Sequence, residues 1–262
     1  MKKVSVVIIT LNEEDRLEGA LKSCRDIADE IVVVDSFSTD KTCEIAARYG
    51  AVIYKNVFSD YGSQKNIALE KASHEWILNL DADERVSDRL KNEILAFKQK
   101  QDSEAGEDDA DGFLINRKTF YLGRWIKHSG WYPDCKLRFF RKSKSRWRGR
   151  IHEALVLDGK TSRMIGDILH FTYRDITDHI RRLNSYSRLQ AMDIVDKKKK
   201  LLYLRAFLLP PVTFSRFYFW KLGILDGFPG LVIALVSSWA TAMKYLKAIQ
   251  LKRKAGGKEN LF

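Results

Sequence analysis

The chain lacks a paired cysteine pattern. Its three cysteines, Cys24, Cys43 and Cys135, are far apart and odd in number. No Cys-x-x-Cys or Cys/His spacing occurs, which argues against a zinc framework and for free thiols in a reducing compartment. An N-terminal leader pattern is also missing. Met1-Lys2-Lys3 enters an apolar run only seven residues long, and Asn12, Glu13 and Glu14 follow at once. There is no Gly/Ser linker and no internal repeat. No uninterrupted apolar run reaches the roughly 20 residues that cross a bilayer. The longest, Phe228 to Met243, is shorter and carries Ser237, Ser238 and Thr241. Helix-turn-helix, RNP and zinc-finger patterns are all missing, so the non-enzyme rival, a nucleic-acid-binding protein, rests on the basic tail and the aromatics alone.

Acids are scarce at one end. The formal net charge is +12. From Lys197 to Lys254 there are twelve Lys or Arg against one acid, Asp226. Nearly the whole excess therefore sits in the last quarter, which suggests an anionic partner surface.

What the chain has in abundance is alternation. Val4 to Thr10, Ile31 to Val34, Val52 to Tyr54 and Trp76 to Leu80 are short apolar runs, rich in β-branched residues. Between them Leu17, Ala20, Leu21 and Cys24 recur at helical spacing, and Thr42 to Tyr49 and Ser63 to Ala72 read as helices. Such a βαβ series predicts an open, mostly parallel sheet with right-handed crossovers. Leu90 to Lys100 reads as a helix, Gln101 to Asp111 as an acidic loop, and residues 112–121, 136–141 and 151–157 as strands. Gly123 to Asp134 reads as an aromatic-rich loop.

Open α/β sheets bind ligands beyond the carboxyl ends of their strands. Three strand ends here carry acids or amides: Thr10-Leu11-Asn12-Glu13, Asp35, and Asp81-Ala82-Asp83. A carboxylate pair spaced like Asp81 and Asp83 suits a divalent cation and, through it, a phosphate. The competing reading is an acidic turn in which Asp83 or Glu84 starts the next helix.

The ordered stretches Val6 to Glu14, Val32 to Thr42 and Leu80 to Glu84 resemble glycosyltransferase family 2. Trp131-Tyr132-Pro133-Asp134, Leu137 to Arg141, Ile151-His152-Glu153 and Phe217 to Gly227 are similar to its branch of bacterial lipopolysaccharide core β-1,4-glucosyltransferases. The resemblance implies a GT-A fold, in which a nucleotide-binding half is joined to an acceptor half, and inversion at the anomeric carbon. Two departures stand out. The second strand end has Asp35-Ser36 where many members carry two acids, and no Glu-Asp pair follows residue 111.

On that resemblance the donor is a UDP-sugar, with glucose as the expected hexose. Thr10, Asn12, Glu13, Asp35, Lys65, Asp81 and Arg138 are its expected contacts. Asp83 is the expected ligand of Mg²⁺ or Mn²⁺. Asp81 and His152 are further candidates for the metal. Glu153 and Asp134 compete as the general base on the acceptor hydroxyl. Trp131 and Tyr132 either stack on an acceptor sugar or pack between the two halves. The rival enzyme class is a nucleotidyltransferase, which opens with a Gly-rich basic loop where this chain has Leu11-Asn12-Glu13-Glu14.

The expected organisation is a GT-A domain over residues 1–195, with a nucleotide half at 1–100 and an acceptor half at 111–175. A basic helical region over 196–250 follows, then a disordered tail over 251–262. Pro210-Pro211 and Asp226 to Gly230 should break the helical region into interfacial amphipathic pieces. The expected acceptor is a lipid-linked saccharide, and the expected location is the cytoplasmic face of the bacterial inner membrane, held peripherally. Oligomerisation is left open.

Overall fold

A computed structural model of the chain describes residues 1–100, 110–149, 153–197 and 200–255. They form two compact units. The first comprises residues 1–118 and 134–171, and the second comprises 119–133 with 172 onward.

The first unit is built on the expected alternation. Strand β1 (Val4–Thr10), helix α1 (Leu17–Cys24), β2 (Glu30–Asp35), α2 (Thr42–Arg48), β3 (Val52–Lys55), α3 (Tyr61–Lys71) and β4 (Trp76–Asn79) follow in order. The four strands lie parallel in the spatial order β3-β2-β1-β4. Val4, Val6, Val7 and Ile8 are buried, as are Val32, Val33 and Val34. Burial on both faces explains why these runs are continuously apolar instead of alternating.

Beyond β4 the sheet turns antiparallel. Helix α4 (Asp88–Gln99) follows the three-residue strand β5 (Glu84–Val86). Then come β6 (Gly112–Tyr121), β7 (Arg124–Trp125), β8 (Asp134–Arg141), β9 (Ser145–Arg148), β10 (Ala154–Leu157) and β11 (Thr161–His170). The sheet continues β4-β8-β6-β11-β5, and β9 and β10 form a separate ribbon. The sheet is thus mixed, with a parallel nucleotide-type half and an antiparallel half, as in a GT-A domain.

Two sequence expectations change here. Neither Asp83 nor Glu84 starts a helix. Glu84–Val86 pairs with Ile168–His170, and α4 begins after Ser87, whose side chain accepts from Leu90 N at 3.3 Å. Strand β11, which the apolar pattern does not announce, lies against α4. At Gly166 a Cβ would stand 2.3 Å from the Leu90 nitrogen, so only glycine permits that approach. The apolar core joins Leu17, Leu21 and Ile94 with an aromatic cluster of Trp76, Phe97, Phe113 and Phe139. The three cysteines are free, as expected, and Cys24 is buried.

The second unit is mostly helical: α5 (Ile176–Asp196), α6 (Leu202–Ser215) and α7 (Phe228–Ala255), with a π-turn at Arg216–Trp220 and a 3₁₀ turn at Gly223–Asp226 between the last two. Its composition differs from the sequence division. Helix α5 belongs here because its Ala191 and Ile194 are buried with Leu202, Tyr245, Ala248 and Ile249. Residues 119–133 also belong here, through Tyr121 and Ile126, which are buried with Val232, Ile233 and Val236. Helix α6 does not break at Pro210-Pro211 but runs through both, although each proline forfeits one helical amide bond. Helix α7 has 28 residues and runs past Met243, and by length and composition it is long and apolar enough to cross a bilayer. Residues 251–255, expected in a disordered tail, are its last turn, and residues 256–262 lie outside the described ones.

Candidate active site

The loops after β1 and β2 are laced together. Asn12 N donates to Ser38 Oγ at 2.9 Å, and Thr39 N donates to Asn12 Oδ1 at 2.9 Å. Glu13 N donates to Thr42 Oγ1 at 2.8 Å, and Lys41 N donates to Glu14 Oε2 at 3.0 Å. Under this lacing lies Asp35, fully buried. Its carboxylate accepts from Thr10 Oγ1 at 2.9 Å, from Ser38 N at 2.8 Å and from the Ser38 hydroxyl. Burial pushes the Asp35 pKa up, but these hydrogen bonds outweigh it and hold the group below the ordinary carboxylate range. Thr10 and Asp35 therefore meet, and protein donors already fill much of the Asp35 carboxylate. Asn12 (φ 54°) and Phe37 (φ 63°) stand in the left-handed region. For a phenylalanine that conformation costs about 1–3 kcal/mol and persists because the surrounding bonds over-determine it.

The end of β4 carries a second, more heavily charged cluster. Arg138, on β8, is 5% exposed. Its Nη2 lies 2.8 Å from Asp81 Oδ2 and 2.7 Å from Glu84 Oε1. The other oxygen of Asp81, Oδ1, faces Lys65 Nζ at 3.5 Å. Lys65 also reaches Glu153 Oε1 at 3.2 Å and sits 4.6 Å over the Trp147 ring. On the far side Arg117 Nη1 approaches Glu84 at 3.5 Å, and its Nη2 binds Asp134 at 2.6 Å. One chain of charges thus runs Glu153, Lys65, Asp81, Arg138, Glu84, Arg117, Asp134. It joins both candidate bases to the Asp-x-Asp turn.

Burial raises the Asp81 pKa, yet Arg138 and Lys65 overcome it and hold the carboxyl far below its ordinary value. Glu84, fully buried, is pushed up by desolvation, which outweighs Arg138. Arg138 itself is held above its ordinary value because Asp81 and Glu84 outweigh its desolvation. Its Nη1 is buried and has no hydrogen-bond partner.

Asp83 stands apart from this chain. Its Oδ2 lies 3.4 Å from His170 Nε2 and 3.7 Å from Arg16 Nη1, and Arg16 reaches Glu13 at 3.9 Å. The backbone fixes the pairing with His170, because Glu84 faces His170 in the β5–β11 register and Phe171 N donates to Asp83 O at 2.9 Å. His170 is one of the residues that the sequence does not point to. It comes from a strand without an apolar signature, and no local motif marks it. Glu84, Arg117 and Arg16 were missed likewise.

Among the described residues, no group of three His, Cys, Asp or Glu side chains converges as a ready-made metal cage. The two acids of the turn therefore differ. Asp81 has both oxygens on cationic side chains. Asp83, with His170 beside it, offers one hard oxygen and one imidazole nitrogen. That pair fits a Mg²⁺ or Mn²⁺ that takes its other ligands from a diphosphate and water. His152 lies outside the described residues.

The two candidate bases also differ. Asp134 accepts from Arg117 Nε at 2.9 Å and Nη2 at 2.6 Å, and pairs with Lys136 at 3.2 Å. Burial raises its pKa, but Arg117 and Lys136 outweigh that and lower it. Among the described residues Glu153 makes one ion pair, on one oxygen, with Lys65. Gly62 opens the space beside it. A Cβ there would meet Gly149 O at 2.6 Å and Glu153 Cβ at 3.7 Å.

In the second unit, Trp131 packs with Tyr121, Tyr173 and His179 at ring-centroid separations of 5.5, 5.8 and 5.6 Å. Tyr132 follows it and is half-buried.

The mixed sheet, with its charged strand ends, is that of an α/β protein of the GT-A class, and comparison with known proteins gives its family. Residues 5–151 match the family model for glycosyl transferase family 2. The lipopolysaccharide core biosynthesis glycosyltransferase LpsC of Rhizobium meliloti is 31% identical over 261 residues, spanning 95% of this chain and 94% of that protein. An uncharacterised glycosyltransferase of Rickettsia typhi is 30% identical, over 97% of this chain and 89% of its own length. The crystal structure of S. aureus TarS matches 96% of this chain and 55% of its own, with 18% identity and a TM-score of 0.46. The chain belongs to glycosyltransferase family 2, and the protein is a glycosyltransferase.

Proposed function

We propose that the protein is a metal-dependent inverting transferase that moves a hexose, glucose from UDP-glucose, to a lipid-linked saccharide of the lipopolysaccharide core type. It works from the cytoplasmic face of the inner membrane as a peripheral protein. The observation that carries the reading is the division of labour at the end of β4. Asp81 is locked by Arg138 and Lys65, while Asp83 and His170 stand together as one carboxylate oxygen and one imidazole nitrogen. The acceptor class follows the name of the LpsC relative and the basic C-terminal quarter.

Asp83 and His170 would hold the cation. When bound, it neutralises charge on the departing diphosphate. Lys65 and Arg138 place fixed positive charge beside the same turn and so favour an anionic donor. Thr10, Asn12, Glu13 and Asp35 shape the nucleoside side through the laced loops. Glu153 takes the proton of the acceptor hydroxyl, with Lys65 orienting its carboxylate. Trp131 and Tyr132, both half-buried in the second unit, stay as proposed contacts of an acceptor sugar.

Turnover of UDP-glucose should release UDP, stop on addition of EDTA and return with Mn²⁺. In Asp83→Ala it should fall by about 10²–10³-fold, the usual scale for losing one transition-state charge contact. Full activity in EDTA would overturn the metal assignment. Release of pyrophosphate would replace the reaction class with nucleotidyl transfer.

A further inference from the structure

Helix α6 is apolar on two faces, and the protein uses only one. Leu202, Ala206 and Leu209 pack into the cluster formed with Ala191, Ile194, Tyr245 and Ile249. The opposite face carries Leu204, Phe207, Leu208 and Val212, which recur at i, i+3, i+4 and i+8 and are 51, 79, 49 and 52% exposed. The turn that follows continues the same character, with Trp220 77% and Leu225 57% exposed. A helix apolar all round is normally enclosed by protein or lipid.

The charge around this face is of one sign. Arg205 is the only charged residue of α6, and Lys200, Arg216 and Lys221 flank it, all exposed. The one acid of the region, Asp226, is fully buried. Its carboxylate accepts from Lys127 N, His128 N and Ser129 Oγ at 3.0–3.1 Å, so it offsets none of this surface charge. A second copy of the chain is a poor occupant. A two-fold contact would set the same positive rim against itself. An anionic lipid surface complements both the apolar strip and its rim.

Helix α7 plays a different part despite its length. Val232, Ile233, Val236, Tyr245 and Ile249 are buried within this unit, so one apolar face is already covered, while Leu235 and Leu246 on the same helix stay about half exposed. We propose that α6 and the Arg216–Trp220 turn form a monolayer-inserting wedge for anionic lipid. Phe207 and Trp220 are its anchors, and α7 is a strut that supports the wedge without spanning the bilayer. The proposal extends the peripheral-membrane reading above, naming the surface that makes the contact.

The test uses the full chain and vesicles without donor or acceptor, so its outcome does not depend on the transferase assignment. The protein should sediment with phosphatidylglycerol/phosphatidylethanolamine vesicles at low salt and remain free with phosphatidylcholine alone. Phe207→Ser with Trp220→Ser should lower partitioning at least tenfold with an unchanged thermal melt. Arg216→Gln with Lys221→Gln, a milder change, should weaken the dependence on anionic lipid. Membranes carrying the protein should release it in alkaline carbonate. Equal sedimentation of the wild type and both variants, retention in carbonate, or a stable dimer in solution that Phe207→Ser dissociates would each overturn the proposal.

Discussion

At the scale of single residues, the site is decided by which carboxylate each cation has taken. Arg138 serves two acids, and removing it leaves Glu84 fully buried, and Asp81 half-buried, with too little positive charge. Breaking a buried pair from one side costs about 3–5 kcal/mol. Arg138→Met should therefore lower the melting temperature sharply, and a chemical denaturation curve will show whether the loss reaches that size. The two base candidates separate by kinetics. Glu153→Gln should reduce kcat by about 10²–10⁴-fold, the range for loss of a general base. Asp134→Asn should act mainly on stability, because its partner is a structural arginine. A larger kcat loss in Asp134→Asn would reverse the assignment. Much of this was legible in the sequence as composition but not as pairing. Asp81 and Asp83 look equivalent in a string of letters, and only the positions of Lys65, Arg138 and His170, remote in the chain, make them different.

At the scale of elements, the parallel strands were legible because burial on both faces writes itself as a continuous β-branched run. Strand β5 was not. Glu84-Arg85-Val86 has no intrinsic strand signature and becomes one only by pairing with β11. Helix α6 was misread for the opposite reason. The local rule at proline is sound, but packing along α7 on both sides of the prolines overrides it: Leu209 lies in the shared cluster, Ser238 Oγ donates to Pro210 O at 2.8 Å, and Thr213 Oγ1 donates to Thr241 Oγ1 at 3.3 Å. Helix α5 carries a titratable anchor. His179 is buried, and its Nδ1 lies 2.8 Å from Tyr121 OH. Desolvation pushes its pKa down from 6.5 to about 4, only partly opposed by Asp178. Its folded pKa is below its unfolded one, so between those values the unfolded chain binds more protons and folding weakens as pH falls. Melting temperature should therefore drop as pH goes from about 6.5 toward 4, the window between those two pKa values. His179→Gln should flatten that part of the profile. An unchanged slope would mean that His179 does not carry it.

At the scale of the whole molecule, the charge asymmetry was visible from composition, and so was an acidic partner surface. The division into units was not, because the second unit is discontinuous in sequence. Residues 119–133 leave the first unit, contribute Tyr121 and Ile126 to the helical one, and return at Asp134. This insertion sets an order of events during synthesis. Tyr121 and Ile126 emerge from the ribosome well before Val232, Ile233 and Val236, the residues that cover them. Until then that short segment, a hairpin continuing β6, waits with these apolar side chains in water. The same logic governs genetic dissection. A stop codon placed after Phe171 would not liberate the sheet as a clean catalytic fragment. It would strand Tyr121, Ile126 and Trp131 without a core, leaving an adhesive spur.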